Sequence, residues 1–340
     1  MKREMKRLLY GFAAVGVTLV AFSAVAQNPS TSSGQATSTG SGQAFPIKPM
    51  RIIVPVQPGG GLDPQARLLG RKFQESMGQP VVIENRPGAN SLLGTEYVAK
   101  SPADGYTLLC AAASLASAVT LYKNLSFDLQ KDLVPVSQIS SNAQFLIAHP
   151  SLPAASLKDF IALAKQQNGK MNAASGGTGT ANHLVLEMFK QRAGFQATHI
   201  PYKGSGPATI ALMSGEVDFS FAGAITMIPH LRSGKVKALA VTSSTPTRLA
   251  PALPTLASLY PGFESVNWYA IFAPGAAPAA IVNRLGAEVI AAIKSPEMRD
   301  FMLKEGADPV GSTPQAFAAY FRSEVERYAT VIRAGNIRVE

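Results

Sequence analysis

Between Phe45 and Ala334 short β-rich runs alternate with amphipathic helical stretches, and this alternation constrains the fold more than any other feature of the chain. "MRIIVPV" reads as a strand. Asp63 to Met77 then sets Ala66, Leu69, Phe73 and Met77 on one helical stripe, and Gly78 stands where a terminating glycine belongs. "PVVIENR" predicts a strand, Leu92 to Lys100 a helix, and "GYTLLCAA" a strand. The pattern resumes after residue 145 with "QFLIAHP", a helix over Leu157 to Gln167, "MNAAS", a helix over Ala181 to Arg192, and "ATHIPY". "VDFSFAG" and "KALAVTS" are further short strands, and "NWYAIFAP" leads into the C-terminal part. Helices over Ala279 to Lys294 and Pro314 to Ala334 follow. Alternation of this kind predicts a mostly parallel sheet with helices on both faces. A chain of 340 residues exceeds one ordinary core, so two α/β units with a cleft between them are expected. Such sheets take ligands beyond the carboxyl ends of their strands.

The first 26 residues read differently. Lys2, Arg3, Lys6 and Arg7 precede an apolar run from Leu8 to Phe22, and Ala24-Val25-Ala26 supplies a small-x-small cleavage pattern. This predicts a signal peptide cut near Ala26-Gln27 and a periplasmic protein; a single membrane anchor is the alternative, for which the run is short. Residues 27–44, rich in Ser, Thr, Gly and Gln, read as a flexible tether. Losing the leader takes four basic residues and one acidic residue from a formal charge of +10 and leaves +7, which favours anions. The basic residues are spread thinly and no aromatic-basic cluster occurs, so nucleic acid is not the expected partner. Cys110, the single cysteine, lies in an apolar run and reads as a buried small hydrophobe.

Three loops carry the chemistry. Gly59-Gly60-Gly61 lies between the first strand and the first helix. It lacks the Lys-Ser/Thr of a phosphate loop, and Gly70 falls at the wrong spacing for a dinucleotide fingerprint. Pro64 suits the first helical position and Asp63 the N-cap, where its carboxylate takes a backbone N–H; a ligand contact is the other reading of Asp63. The glycine amides before it are candidates for an incoming anion at the positive helix end. "SGGTGT", Ser175 to Thr180, runs straight into a second helix; ligand contact competes with a tight turn. His183 is either a ligand donor or a capping group. In "PYKGSGPATIAL", Lys203 is either an anion partner or a surface lysine, and Ser205 and Pro207 open another helix. No nucleophile elbow, zinc motif or metal-ligand histidine spacing is present, so neither catalysis nor a metal or cofactor is expected.

Several segments resemble the extracytoplasmic solute receptors of tripartite tricarboxylate transporters, also called Bug receptors. These are "FPIKPMRIIVPVQPGGGLDPQARLLG", "GQPVVIENRPGAN", "AKSPADGYTLL", "LSFDLQKDLVPVSQI", "SGGTGTANHL", "PYKGSGPA", "SGEVDFSF" and "ALPTLASLYPGFES", in the family's order. The resemblance spans nearly all of residues 45–334. It implies an α/β periplasmic-binding-protein fold of type II. Two domains are joined by a two-stranded hinge and close on a small carboxylate. Domain I would comprise 45–142 and 266–340 and domain II 143–265, with crossings near Ser141–Phe145 and Ser265–Ala270.

By the same resemblance, Pro58, Gly60 and Gly61 form one carboxylate clip, and Ser175, Gly177, Thr178 and Thr180 the other. Tyr202, Lys203 and Gly204 sit beside the cleft, Ala222 and Gly223 face it, and Ser114 and Ser117 lie in a loop at its distal end. Val56, Leu62 and Ser114 depart from the residues common in the family and imply a less polar distal pocket. The implied role is a monomeric receptor delivering a carboxylate to membrane permease subunits. A sensor presenting its loaded form to a membrane kinase is the alternative, and a periplasmic enzyme the third reading.

Overall fold

The computed structural model describes residues 45–59 and 61–339, with Ile225 as backbone only. The leader, its cleavage point and the tether expected over residues 1–44 lie outside the described residues, as does Gly60. No helix among the described residues is long and apolar enough to cross a membrane.

The sheet divides along one strand. In its first half the order is β2 (Val81–Asn85), β1 (Met50–Val54), β3 (Thr107–Ala112), β9 (Val266–Pro274) and β4 (Leu133–Ala148). In the second, β4 is followed by β7 (Phe219–Gly223), β5 (Asn172–Ser175) and β6 (Thr198–Pro201), and β8 (Lys237–Val241) also pairs with β4. A two-residue strand, β10 (Asp308–Pro309), pairs with Ser140 and Ser141 of β4. The expected mostly parallel sheet is corrected. β1 is parallel to β2 and β3, and β5 to β6 and β7, but each pairing made by β4 or β9 is antiparallel. The reason is directional: β4 carries the chain out to the second half and β9 brings it back.

β4 changes partners part-way. Leu133 to Ala143 pair with β9, and Gln144 to Ala148 pair with β7. Its ladder with β9 is irregular between Pro135 and Ser137 and again between Gln138 and Ser140. Proline cannot donate to a ladder and is accommodated at such an irregularity. This interrupted first half is why periodicity exposes only "QFLIAHP" as a strand.

Helices cover both faces of each half. On the first, α1 (Leu62–Met77), α8 (Ala279–Lys294) and α9 (Pro296–Lys304) enclose Phe73, Ile271, Leu285 and Met302. On its other face α2 (Leu92–Ala99), α3 (Ser114–Leu121) and α10 (Pro314–Ala334) enclose Leu109, Trp268, Phe272 and Phe317. In the second half α4 (Leu157–Gln167) and α5 (Ala181–Ala193) pack on Leu146, Phe160, Phe189 and Phe219. There α6 (Ser205–Ser214) and α7 (Ala224–Arg232) pack on Phe145, Ile147 and Met227. Three helices were not expected. α3 is built largely from small residues, α7 carries Pro229 inside it, and α9 is a nine-residue helix after a Ser295 cap, so none shows a long apolar stripe. Gly78 ends α1 at φ 71°, as its position predicts.

The C-terminal helix is clamped to β9 by aromatic rings. Phe317 lies 5.7 Å from Trp268 and 5.2 Å from Phe272, edge to face in both cases. Phe317→Ala removes a fully buried ring and should cost about 3–5 kcal/mol in urea unfolding. Trp268 is the only tryptophan, so its emission should shift to longer wavelength as the helix loosens. A variant that matches the parent in both readouts would show that this packing does not hold α10 in place.

Candidate functional site

Two glycine-rich loops, each running into a helix, form the candidate site. The first follows β1 and precedes α1. The expected N-cap role of Asp63 is corrected: the helix begins at Leu62, Gly61 is the cap residue, and Asp63 sits inside the first turn. Its carboxylate turns back to the loop instead. Oδ2 accepts from the Gly59 amide at 3.2 Å and from Arg67 Nε at 3.1 Å. Oδ1 accepts from Asn85 Nδ2 at 2.9 Å and lies 3.0 Å from Arg67 Nη2. Burial works to raise the Asp63 pKa, but the hydrogen bonds from Arg67, Asn85 and Gly59 hold it below the usual range. Asn85 also donates to the Val56 carbonyl at 3.1 Å, so both ends of the loop are tied to β2. Val56 is half-buried and Pro58 exposed, while Gly59 has φ 89°, a value that favours glycine. Asp63 therefore shapes the loop, with its oxygens engaged by protein donors.

The second loop joins β5 to α5 and is held by two histidines. Ser175 Oγ accepts from the Gly177 amide at 3.1 Å and lies 2.6 Å from His199 Nε2. His183 Nδ1 accepts from the Gly179 amide at 3.1 Å, which requires that nitrogen to be unprotonated. The two imidazoles stack with centroids 3.7 Å apart. Thr180 Oγ donates to the Gly177 carbonyl at 2.7 Å. The loop is braced from behind: Tyr202 and Gly204 donate their amides to Ser175 and Gly176. The amide of Thr178 takes no part in these bonds. Gly177 adopts φ 130°, so a valine there would strain the loop itself as well as block an approaching ligand.

The remaining expected residues divide. Lys203 is exposed, and Tyr202 donates its hydroxyl to Glu216 at 2.6 Å near the surface. Ala222 and Gly223 pair with Phe145 and Gln144 of β4, and Gly223 caps α7. Ser114 and Ser117 lie on α3, which corrects their placement in a loop. The Ser117 hydroxyl, fully buried, bonds the Ser114 carbonyl at 2.8 Å and the Gly179 carbonyl at 3.0 Å. This links α3 in the first half to the second loop. Ser114 borders a small cavity with Pro55, Asn90 and Ser91. Ala89, Asn90 and Ser91 have φ of 46°, 52° and 74°, three successive non-glycine residues in the left-handed region. Neither periodicity nor spacing marks this segment, or Arg67 and His199, as part of a site; Asn85 at the end of the second strand is the one legible hint of a loop anchor. Among the described residues no group of three or more His, Cys, Asp or Glu could hold a metal.

Two outcomes follow from this geometry. Burial, the neighbouring His199 and Lys190 depress His183 to about 3, and burial with Lys190 depresses His199 to about 4. A free imidazole titrates near 6.5, so between about 6.5 and 4 the unfolded chain binds more protons than the folded one. The stability these rings contribute is present above about 6.5 and lost as pH falls toward 4, on the order of 1 kcal/mol per pH unit for each ring. Urea midpoints over pH 7.5 to 4.5 should fall more steeply for the parent than for His183→Gln/His199→Gln; parallel slopes would contradict the neutral pair. Separately, a Cβ on Gly179 would lie 2.4 Å from Leu121 Cδ1, on a backbone at φ 79°. Gly179→Ala should lower the melting temperature, and Leu121→Ala in the same chain should recover part of the loss. Strictly additive losses would show that the contact is not made in solution.

The comparisons with known proteins agree with this architecture. The family model described as "Tripartite tricarboxylate transporter family receptor" matches residues 65–337. The chain is 38% identical over 296 residues to protein BugT of Bordetella pertussis, covering 86% of this chain and 91% of that one. The solved periplasmic binding protein BugD superposes with a TM-score of 0.76 at 30% identity, covering 87% of this chain and all of that one. A Rhodopseudomonas palustris protein solved with adipate gives 0.78 at 31% identity, covering 86% and 99%. The matched family and structures are solute-binding receptors of two-domain fold, not enzymes. This chain belongs to the tripartite tricarboxylate transporter receptor family.

Proposed function

We propose that the chain captures an organic carboxylate between its two glycine-rich loops in the periplasm and presents the loaded form to the membrane permease subunits of a tripartite transporter. The observation that carries this reading is the pairing of the loops. Each precedes a helix, each is held by side chains from its own half, and Ser117 brings α3 against the second loop. Helix N-termini with bare loop amides favour a planar anion. The adipate bound by the Rhodopseudomonas relative supports a carboxylate, and membership of the transporter receptor family supports the membrane partner. On this reading Pro58, Gly60, Gly61, Ser175, Gly177, Thr178 and Thr180 surround the anion. Asp63 and His183 act one step back, by holding the loops.

The proposed domains are 45–142 with 266–340, and 143–265. The change of β4 partners between Ala143 and Gln144, and the start of β9 at Val266, support those boundaries. A connection of two strands permits rigid-body closure, and a ligand touching both loops favours the closed state by its differential affinity. Export by a leader over residues 1–26 would deliver the chain, as a monomer, to the compartment that BugD's description names.

Calorimetry against mono-, di- and tricarboxylates, amino acids and aromatic acids should find at least one ligand at micromolar affinity or better, about −8 kcal/mol. X-ray scattering at saturation with that ligand should give a smaller radius of gyration than without it. Failure of every acid to bind would overturn the receptor reading; an unchanged radius would overturn closure.

A further inference from the structure

Two glutamines adjoining the helices that the loops open have one amide atom each that is buried without a hydrogen-bond partner among the described residues: Nε2 of Gln65 and Oε1 of Gln144. The residues are only 1% and 2% exposed. Gln65 lies in the first turns of α1, directly after the first loop. Gln144 donates Nε2 to the carbonyl of Ala181 at 3.4 Å, the residue with which α5 begins directly after the second loop. The orientation of Gln144 follows from its partner. Ala181 offers only an acceptor, so Gln144 must present its nitrogen there and keep its oxygen bare. Asn142 Nδ2 donates to Ser140 Oγ at 3.3 Å, and Ser140 passes its own proton to Gln65 Oε1 at 2.8 Å. In this arrangement the Gln65 nitrogen has no partner among the described residues. Ser140, Asn142 and Gln144 alternate along β4 where the chain crosses between the halves, so they share one face of that strand.

Buried polar atoms are nearly always paired, and an orphan calls for a specific explanation. Here one bare donor and one bare acceptor adjoin the helices that the two loops open. Resting on the receptor reading above, we infer that Gln65 and Gln144 form the floor of the ligand site. They select a carboxylate that carries an additional O–H or N–H donor, as in a hydroxy acid or amino acid. An acceptor on the ligand meets Gln65 Nε2, and a donor meets Gln144 Oε1. A plain diacid, ionised at neutral pH, offers acceptors only and leaves the Gln144 oxygen bare. Sites built to hydrogen-bond a substrate O–H or N–H discriminate strongly against analogues that lack it, because their own polar groups are then stranded.

The test compares matched probes by calorimetry on the full folded chain: succinate with malate and aspartate, glutarate with 2-hydroxyglutarate and glutamate, adipate with 2-aminoadipate, and benzoate with 4-hydroxybenzoate. In the tightest-binding set the donor-bearing member should exceed its plain parent by tenfold or more. Gln144→Met, close in volume but apolar, should bring the two within about threefold. Gln65→Met should weaken the donor-bearing member. Equal binding of plain and donor-bearing members to the parent protein overturns the inference without recourse to any variant; a tenfold preference that survives in Gln144→Met overturns it as well. If the broader acid panel yields a tight ligand with no donor beyond its carboxylates, the receptor reading stands and this inference falls. If no acid binds at all, both fall.

Discussion

Strand β4 serves both halves of the molecule, and the rest of the architecture depends on it. Its 16 residues pair first with β9, with only the two-residue β10 on the other side, and then run between β7 and β8. A strand in that position cannot shift register without turning core residues on either side toward solvent. The irregularities at Pro135–Ser137 and Gln138–Ser140 let it bend while keeping Val136 and Ile139 in the first core and Phe145 and Leu146 in the second. Between those apolar stretches it carries Ser140, Asn142 and Gln144, so the crossing itself is polar. Polar groups at a connection cost less packing than polar groups in either core would.

The two loops are stiffened by different chemistry. Around the first, an ionised carboxylate gathers the Gly59 amide, Arg67 and Asn85, a charge-assisted arrangement. Around the second, two neutral imidazoles and a serine hydroxyl do the same work without charge. The contrast has a physical basis. Arg67 is half-exposed and can pair with Asp63 at the surface edge, whereas His183 and His199 are packed against each other and Lys190 stands nearby. An added proton there would be buried, and Glu187, the carboxylate 3.8 Å from His183 Nε2, already pairs with Lys190 at 2.8 Å.

α10 secures the back of the crossing. Trp268 donates its indole N–H to Glu324 at 3.0 Å, and Arg327 pairs with the same carboxylate at 2.7 Å while donating to the Glu264 carbonyl just before β9. Burial pushes the Glu324 pKa up, and Arg327 and Trp268 oppose it. An ion pair this buried adds little net stability compared with apolar packing, but it fixes where the helix meets β9.

Much of the architecture was legible in the amino-acid order because it rests on local physics. Helical stripes located α4, α8 and α10 to the residue, Gly78 marked the end of α1, and glycine-rich segments marked both loops. The family was legible too, because its signatures are long and ordered. What periodicity missed was set by partners distant in the chain. The first half of β4 is a strand because β9 pairs with it, despite its proline. α3 is a helix because α10 and the sheet bury it, although its own apolar stripe is weak. Asp63 looked like a cap because Pro64 follows it; only the approach of Asn85, 22 residues on, draws its carboxylate back to the loop. Gln65 offered a small signal, a polar side chain in the first turns of a helix with a buried face. Its pairing with Ser140, 75 residues away, and the bare oxygen of Gln144 exist only once the two halves share β4. Local sequence determined which segments were helix, strand and glycine loop. Tertiary structure decided which polar atoms were left without partners, because hydrogen-bond satisfaction depends on every neighbour that folding brings near.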